Sequence, residues 1–325
     1  MKAGNWKLRM IDEGYIPIKW RGRGATAFLR RKQWWSFEGM DKDRGVYFVF
    51  LAMHSFPFGY VSLTAINLND DRRVVVERLT GVDARPGDSV DVAAIGKWGK
   101  IHFFGCSEDK WIIEIESAAL CAKVEQRQVS AMRRDRLLTE KIDYSILQSA
   151  LNKMEGRVSF GEHDYDLSGY GYSEHAWGVQ PRRSQANWMH FWSPEASGVV
   201  MDCLYDSALP HNYSYVWQGS ENRNIHSPAR FSFDAASPRA SWKITSPDLH
   251  LDVSPIYAHR TIKKIPFVLP YIDIDYYELL VRVQGSVSID GARIPINGIG
   301  KYDYNDNKWQ DQNLQYRQAR ACHSF

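Results

Sequence analysis

A chain of 325 residues, 44% hydrophobic and 24% charged, is long enough to bury more than one core, and its length favours two domains over one. The net charge of +3 is too balanced to imply nucleic acid, and four scattered cysteines without a C-x-x-C argue against a zinc ribbon or a dense disulfide framework. Aromatic residues make up 13% of the chain, a richness that suits half-buried strands and apolar cavities alike.

The first residues, Met-Lys-Ala-Gly-Asn-Trp-Lys, contain no apolar stretch of the secretory type. The longest apolar run, Val46 to Met53, is too short to cross a bilayer as a helix, so a cytoplasmic location is the expectation. Residues 19–32 carry Lys19, Arg21, Arg23, Arg30, Arg31 and Lys32. They read as a solvated surface, or alternatively as a transient docking site on a membrane that stores an apolar substrate. Gln33-Trp-Trp-Ser-Phe-Glu-Gly39 follows, then turn residues at 41–45 and the β-prone run Val46 to Leu51. Strand signals recur at 60–68, 73–79, 89–94, 100–104 and 111–116, with polar turns between them. Many short strands at near-regular spacing indicate an all-β barrel or sandwich. Only residues 127–153 break the pattern. Leu137, Leu138, Ile142, Ile146, Leu147 and Leu151 recur at spacings of roughly three to four, which predicts a short helical insertion.

The chain also echoes itself. Gly156, Val158, Ser159, Gly169 and Gly171 match Gly285, Val287, Ser288, Gly298 and Gly300 without a gap, and Trp34-x-x-Phe37 matches Trp188-x-x-Phe191. Two echoes in the same order argue for tandem copies of one β unit, divided into residues 1–183 and 184–325. The stretch Gly169-Tyr-Gly-Tyr-Ser-Glu-His-Ala-Trp-Gly178 is not duplicated beyond its glycines, since the later copy continues Lys301-Tyr-Asp-Tyr-Asn-Asp306. On a strand, His175 and Trp177 share one face and Glu174 takes the other. A proton-carrying group beside a large π surface, kept in one copy only, is a candidate catalytic pair.

No histidine cluster has metal-ligand spacing, and Asp303-x-Asn305-x-Asn307 fails as a calcium loop because Lys308 and Leu314 occupy its key positions. With no phosphate-binding glycine loop or serine elbow either, neither a metal nor another cofactor is expected. Asp202 and Asp206 lie on the β-prone run 198–206, on one face with Val200 and Leu204, with Tyr205 opposite. Each acid is either surface-facing or a desolvated carboxylate, and Glu38 poses the same choice. Trp34, Trp35, Glu38, Tyr172 and Trp188 are the candidate substrate-contacting residues.

Trp34-Trp35-Ser-Phe37 resembles the E-W-W-Y-F opening of the carotenoid 1,2-hydratase (hydroxyneurosporene synthase) and AttH-like lipocalin-like superfamily. Gly169-x-Gly-Tyr-Ser-Glu-His-Ala-Trp-Gly178 resembles its central G-x-G-Y-x-D-H-x-W-G motif. Gln33 stands where that family usually has Glu, and Glu174 where it usually has Asp. The family's Tyr-x-Asp spacing is not reproduced around Tyr205. The resemblance implies two tandem lipocalin-like antiparallel β-barrels with a lipophilic cavity. It also implies hydratase chemistry on an isolated C=C bond, or the pericyclic chemistry of lipocalin-like Diels–Alderases, with His175 and Trp177 as the family's His-x-Trp pair.

Three readings follow. In the first, His175 or a nearby acid protonates an alkene or polyene of terpenoid, carotenoid or polyketide type, Trp177 stabilises the cation, and Asp202 or Asp206 orients the capturing nucleophile. In the second, a pericyclase works by positioning its substrate. In the third, the chain is a non-catalytic carrier of an apolar small molecule.

Overall fold

The computed structural model describes residues 31–55, 58–85, 89–106, 108–138, 143–179, 183–193, 199–206, 213–218, 221–225, 227–265 and 271–310. Most of the basic stretch 19–32 lies outside these residues. The chain divides into two compact units, Met1–Gln180 and Pro181–Phe325.

The first unit is one strongly curled antiparallel sheet. It comprises β1 (Arg31–Asp41), β2 (Val46–Ser55), β3 (Phe58–Asn67), β4 (Arg73–Thr80), β5 (Asp83–Arg85) and β6 (Val90–Gly96). To these it adds β7 (Gly99–Gly105), β8 (Lys110–Ser117), β9 (Leu120–Gln128), β10 (Arg133–Leu138), β11 (Asp143–Phe160) and β12 (His163–Val179). The spatial order is β4-β3-β2-β1-β12-β11-β9-β8-β7-β6-β5, with β10 paired to the start of β11. The edge strands β4 and β5 are consecutive in the chain, separated only by Gly81 and Val82. So short a connection spans roughly 10 Å at most, which forces the sheet to curl until its edges nearly meet.

The second unit repeats this plan with β13 (Arg183–Ser193), β14 (Val199–Asp206), β15 (Tyr213–Gln218), β16 (Glu221–Ile225) and β17 (Arg230–Phe231). It continues with β18 (Trp242–Ser246), β19 (Leu249–Ile265), β20 (Tyr271–Ile289) and β21 (Ala292–Gln310). Its first strand again pairs with its last, and its edges β16 and β17 are again consecutive in the chain. In both units one face of the sheet carries the hydrophobic core. Trp35, Phe37, Phe48, Phe50, Phe103 and Trp111 build it in the first, and Met189, Phe191, Trp242, Leu279 and Tyr302 in the second.

No helix appears among the described residues of the expected insertion. Among the described residues, 127–153 run through the end of β9, all of β10 and the start of β11. Two features mimic helical spacing. Ile146 and Leu147 point to opposite faces yet both are buried, which hides the two-residue alternation. A bulge between Ser149 and Asn152 then shifts the phase, so core-facing positions run 145, 147, 149, 152, 154.

The glycine echo has a structural cause. Gly156 on β11 (φ 149°) and Gly285 on β20 (φ 146°) occupy matching places, and a Cβ there would fall 2.2 Å from the Lys123 carbonyl oxygen and 2.0 Å from that of His250. Positive φ and the close neighbouring strand both demand glycine. Gly156→Ala and Gly285→Ala are each expected to cost about 2 kcal/mol or more, read as a lower urea-unfolding midpoint. An unchanged midpoint would mean that the neighbouring strand stands further off than this.

Candidate functional site

The pairing of β1 with β12 sets the site. Trp35 lies opposite His175, and Gln33 opposite Trp177. Directly opposed residues of an antiparallel pair share a face, and Trp35 belongs to the core, so His175 and Trp177 face the core as well. The imidazole is held between two indoles. Its centroid is 4.7 Å from Trp35 at an interplanar angle of 14°, and 4.8 Å from Trp177 at 39°. The Gln33 amide nitrogen lies 2.9 Å from Nε2 of His175. With the amide nitrogen turned toward the ring, Gln33 donates and the neutral imidazole carries its proton on Nδ1. The Arg134 guanidinium sits over the Trp177 ring, 5.6 Å from its centre.

A buried polar chain borders this stack on the same face. Asn152 donates from Nδ2 to Ser173 Oγ and to Gln126 Oε1, each at 3.1 Å, and Ser149 Oγ donates to Asn152 Oδ1 at 2.6 Å. Only the bulge brings Ser149 and Asn152 to one face. Gly171 makes room for this chain, because a Cβ there would stand 2.6 Å from the Gln126 carboxamide.

The opposite face holds a second cluster, buried at Tyr172, Gln148 and Glu38 and half-buried at Trp34 and Glu174. Glu174 accepts from Trp34 Nε1 at 2.6 Å and from the Tyr172 hydroxyl at 2.7 Å, while Gln148 donates to that hydroxyl at 2.8 Å. Glu38 is wholly buried and accepts from the Tyr47 hydroxyl at 3.0 Å, so of its two sequence alternatives it takes the desolvated one. Glu174 and His175 are neighbours in sequence but lie on opposite sides of the sheet. The structure therefore gathers Trp35, His175 and Trp177 on one face, and Trp34, Glu38, Tyr172 and Glu174 on the other.

Asp202, Tyr205 and Asp206 belong to β14 in the second unit, where the backbone register sets Asp202 opposite His190, Tyr205 opposite Asn187 and Asp206 opposite Ala186. Their side chains lie outside the description. On the face away from that unit's core, Trp188 is covered by the Lys301 ammonium at 5.3 Å from the ring centre. Lys301 Nζ also lies 2.8 Å from Asp303 and 3.9 Å from Glu278. Burial holds His190 well below the ordinary imidazole range, and the Lys301 charge pushes the same way. Burial raises Asp303 despite the opposing pull of Lys301. The sequence reading missed this cluster. Its one visible signal was Lys301-x-Asp303, a charged pair on one face of a strand otherwise rich in aromatics.

The structural register also corrects the aromatic echo. Phe37 lies opposite Ser173, two residues past Gly171, whereas Phe191 lies opposite Gly300 itself. Aligned on the glycines, Gln33 corresponds to Gln185, whose amide donates to the Tyr304 hydroxyl at 2.9 Å. The same glutamine thus holds an imidazole in one unit and a phenol in the other.

No protein-family model matches the sequence, and no curated protein matches it. Several solved structures share the fold. A protein described as an AttH from Nitrosomonas europaea is 10% identical, with a TM-score of 0.58, over 89% of this chain and 99% of that one. CghA, in a structure with Sch210972, is 10% identical, with a TM-score of 0.61, over 87% of this chain and 89% of that one. Kievitone hydratase from Nectria haematococca is 11% identical, with a TM-score of 0.55, over 86% of this chain and 90% of that one. The fold is shared with these proteins, one of which is named as a hydratase.

Two predictions follow from the polar groups. Glu174→Gln turns an amide NH₂ toward the donors Trp34 and Tyr172, and should destabilise the protein by roughly 1–3 kcal/mol in urea unfolding. No change would show that the carboxylate does not anchor this face. His190 is neutral when folded, with its affinity for protons lowered, so the unfolded chain binds the extra proton in acid. Stability should therefore fall by up to about 1.4 kcal/mol per pH unit below about pH 6.5, and His190→Gln should remove that part of the slope. Identical pH profiles would overturn the assignment.

Proposed function

We propose that the protein is an enzyme acting on a lipophilic alkene or polyene by proton transfer from His175, with water or an internal nucleophile capturing the resulting cation. The observation that supports this most is the imidazole held between Trp35 and Trp177 on the core face, with a glutamine fixing one ring nitrogen. Histidine is the side chain that gives and takes a proton near neutral pH, and the flanking π faces favour a positive charge where water is excluded. The ring acts as the imidazolium, for which the Gln33 carboxamide turns its oxygen to Nε2–H, and it gives one proton to an alkene carbon and becomes neutral. The neighbouring carbon then takes a water oxygen, whose lost proton returns to the imidazole, so the sum is water added across C=C. The reaction balances without electrons or a group carrier. Ser173 and Ser149, on the same face as His175, are suited to orient that water. Glu174, with Trp34 and Tyr172, serves as a positioning group behind the strand. That kievitone hydratase shares the fold agrees with hydration, and the structure of CghA with Sch210972 agrees with a small-molecule ligand.

The test is incubation of the purified protein with a panel of apolar polyenes in ¹⁸O-labelled water, followed by mass spectrometry. Hydration gives a labelled product, and His175→Ala should lower its rate at least about a hundredfold. An unlabelled isomer that survives His175→Ala would replace this reading with catalysis by positioning. Ligand bound but unchanged after long incubation would leave a carrier.

A further inference from the structure

The buried polar chain beside His175 has a direction, and a backbone carbonyl sets it. Gln126 Nε2 donates to the Glu38 carbonyl oxygen at 2.7 Å, which leaves Gln126 Oε1 as the atom that meets Asn152. A carbonyl oxygen only accepts, so Asn152 presents its amide nitrogen there. The second hydrogen of that nitrogen goes to Ser173 Oγ, and Asn152 Oδ1 faces Ser149, which donates to it. Turning either amide over would set oxygen against oxygen.

The two serines end this chain with opposite needs. Ser149 and Ser173 lie directly opposite each other on β11 and β12, on the core face and almost wholly buried. Ser149 gives its hydrogen to Asn152 and keeps its lone pairs, and among the described residues nothing donates to it. Ser173 receives a hydrogen from Asn152 and keeps its own, and among the described residues no acceptor takes it. Buried hydrogen-bonding capacity is costly to leave unused, so the pair suits one group that both accepts and donates. His175 follows two residues along β12 on the same face, roughly 7 Å on at the backbone, a spacing at which one oxygen can bond both a hydroxyl and the ring.

We propose that Ser149 and Ser173 seat the oxygen that adds to the double bond, as water before the reaction and as the hydroxyl of a product alcohol after it. The proposal rests on the reading of His175 as the proton donor and narrows it, because it selects water over an internal nucleophile. Water has four tetrahedral positions. One lone pair accepts from Ser173 and one hydrogen goes to Ser149. The second hydrogen goes to the imidazole once the ring has given up its proton, and the remaining lone pair attacks the cationic carbon. That lone pair becomes the C–O bond, the O–H bond toward the ring breaks, and the hydrogen on Ser149 stays in the alcohol. A hydroxyl of the substrate has a single hydrogen, and holding it on Ser149 leaves none for the ring. A ketone oxygen has no hydrogen and serves Ser173 alone.

α-Terpineol, carvone and limonene share one carbon skeleton and carry an alcohol, a ketone and neither. They serve as probes in titrations followed by quenching of tryptophan fluorescence. Wild type should bind all three, α-terpineol most tightly. Ser149→Ala should weaken α-terpineol about three- to tenfold and leave carvone and limonene unchanged. Ser173→Ala should weaken α-terpineol and carvone by about that same factor and leave limonene unchanged. Carvone weakened by Ser149→Ala and not by Ser173→Ala would reverse the polarity and overturn the proposal. Equal losses for all three probes, or none for any, would overturn it too, and would leave the apolar site standing. If wild type binds none of the three, the apolar site itself fails, and this proposal with it. In the ¹⁸O-water assay linalool, an alkene with its own hydroxyl, separates the two nucleophiles. A labelled diol agrees with the water seat, whereas an unlabelled cyclic ether that His175→Ala abolishes would overturn the seat and leave the proton transfer in place.

Discussion

The pairing of the first strand of each unit with its last is the constraint on which the rest depends. In the first unit it sets Trp35 opposite His175 and Gln33 opposite Trp177, and so builds the stack from residues about 140 positions apart in sequence. A slip of one residue would turn every one of these side chains to the other face. The hydrophobic pattern resists that slip, because Trp35 and Phe37 must meet Phe48, Phe50 and Phe103 in the core. The site is therefore placed by the same contacts that fold the sheet, and its geometry is as rigid as the core beneath it.

Burial on both faces gives the strand pair its second property. A carboxylate taken out of water is costly unless donors replace the lost hydration. Glu174 receives two, from Trp34 and Tyr172, and the Tyr47 hydroxyl serves Glu38. These groups lock the far side of β1 and β12, which steadies the backbone that carries His175 and Trp177. Acid and imidazole, adjacent in the chain, thus divide the labour across the thickness of one sheet.

Much of this was legible in the residues. Strand alternation alone put His175 with Trp177 and set Glu174 apart, and the spacing of turns and apolar runs in the first hundred residues gave the strands nearly as they stand. Where the reading failed, the cause was local. A strand buried on both faces and broken by a bulge imitates a helix, as residues 143–154 do. The Gln33–His175 contact could not be seen, because strand pairing and not sequence distance creates it. Gln33, where the resembled opening motif has Glu, falls within reach of the imidazole Nε2. This chain therefore offers its histidine a neutral amide where a carboxylate would have favoured the charged ring.

The comparison of the two units sharpens what that amide does. Gln185 makes the same contact from the same place on β13, but the group it holds is the Tyr304 hydroxyl. Orienting a ring is thus a property of the shared scaffold, and the ring itself is what differs. An imidazole exchanges charge states near neutral pH, and a phenol does not. In the second unit the ionisable groups have moved to the other face of the sheet, where Lys301, Asp303, Glu278 and His190 lie buried around Trp188. The core face there is left to Tyr277, Tyr302 and Tyr304, packed about Phe233. Among the described residues, the core face of the first unit thus carries an imidazole where the matching place in the second carries a phenol, which is why the proton transfer proposed above is assigned to His175 and not to Tyr304.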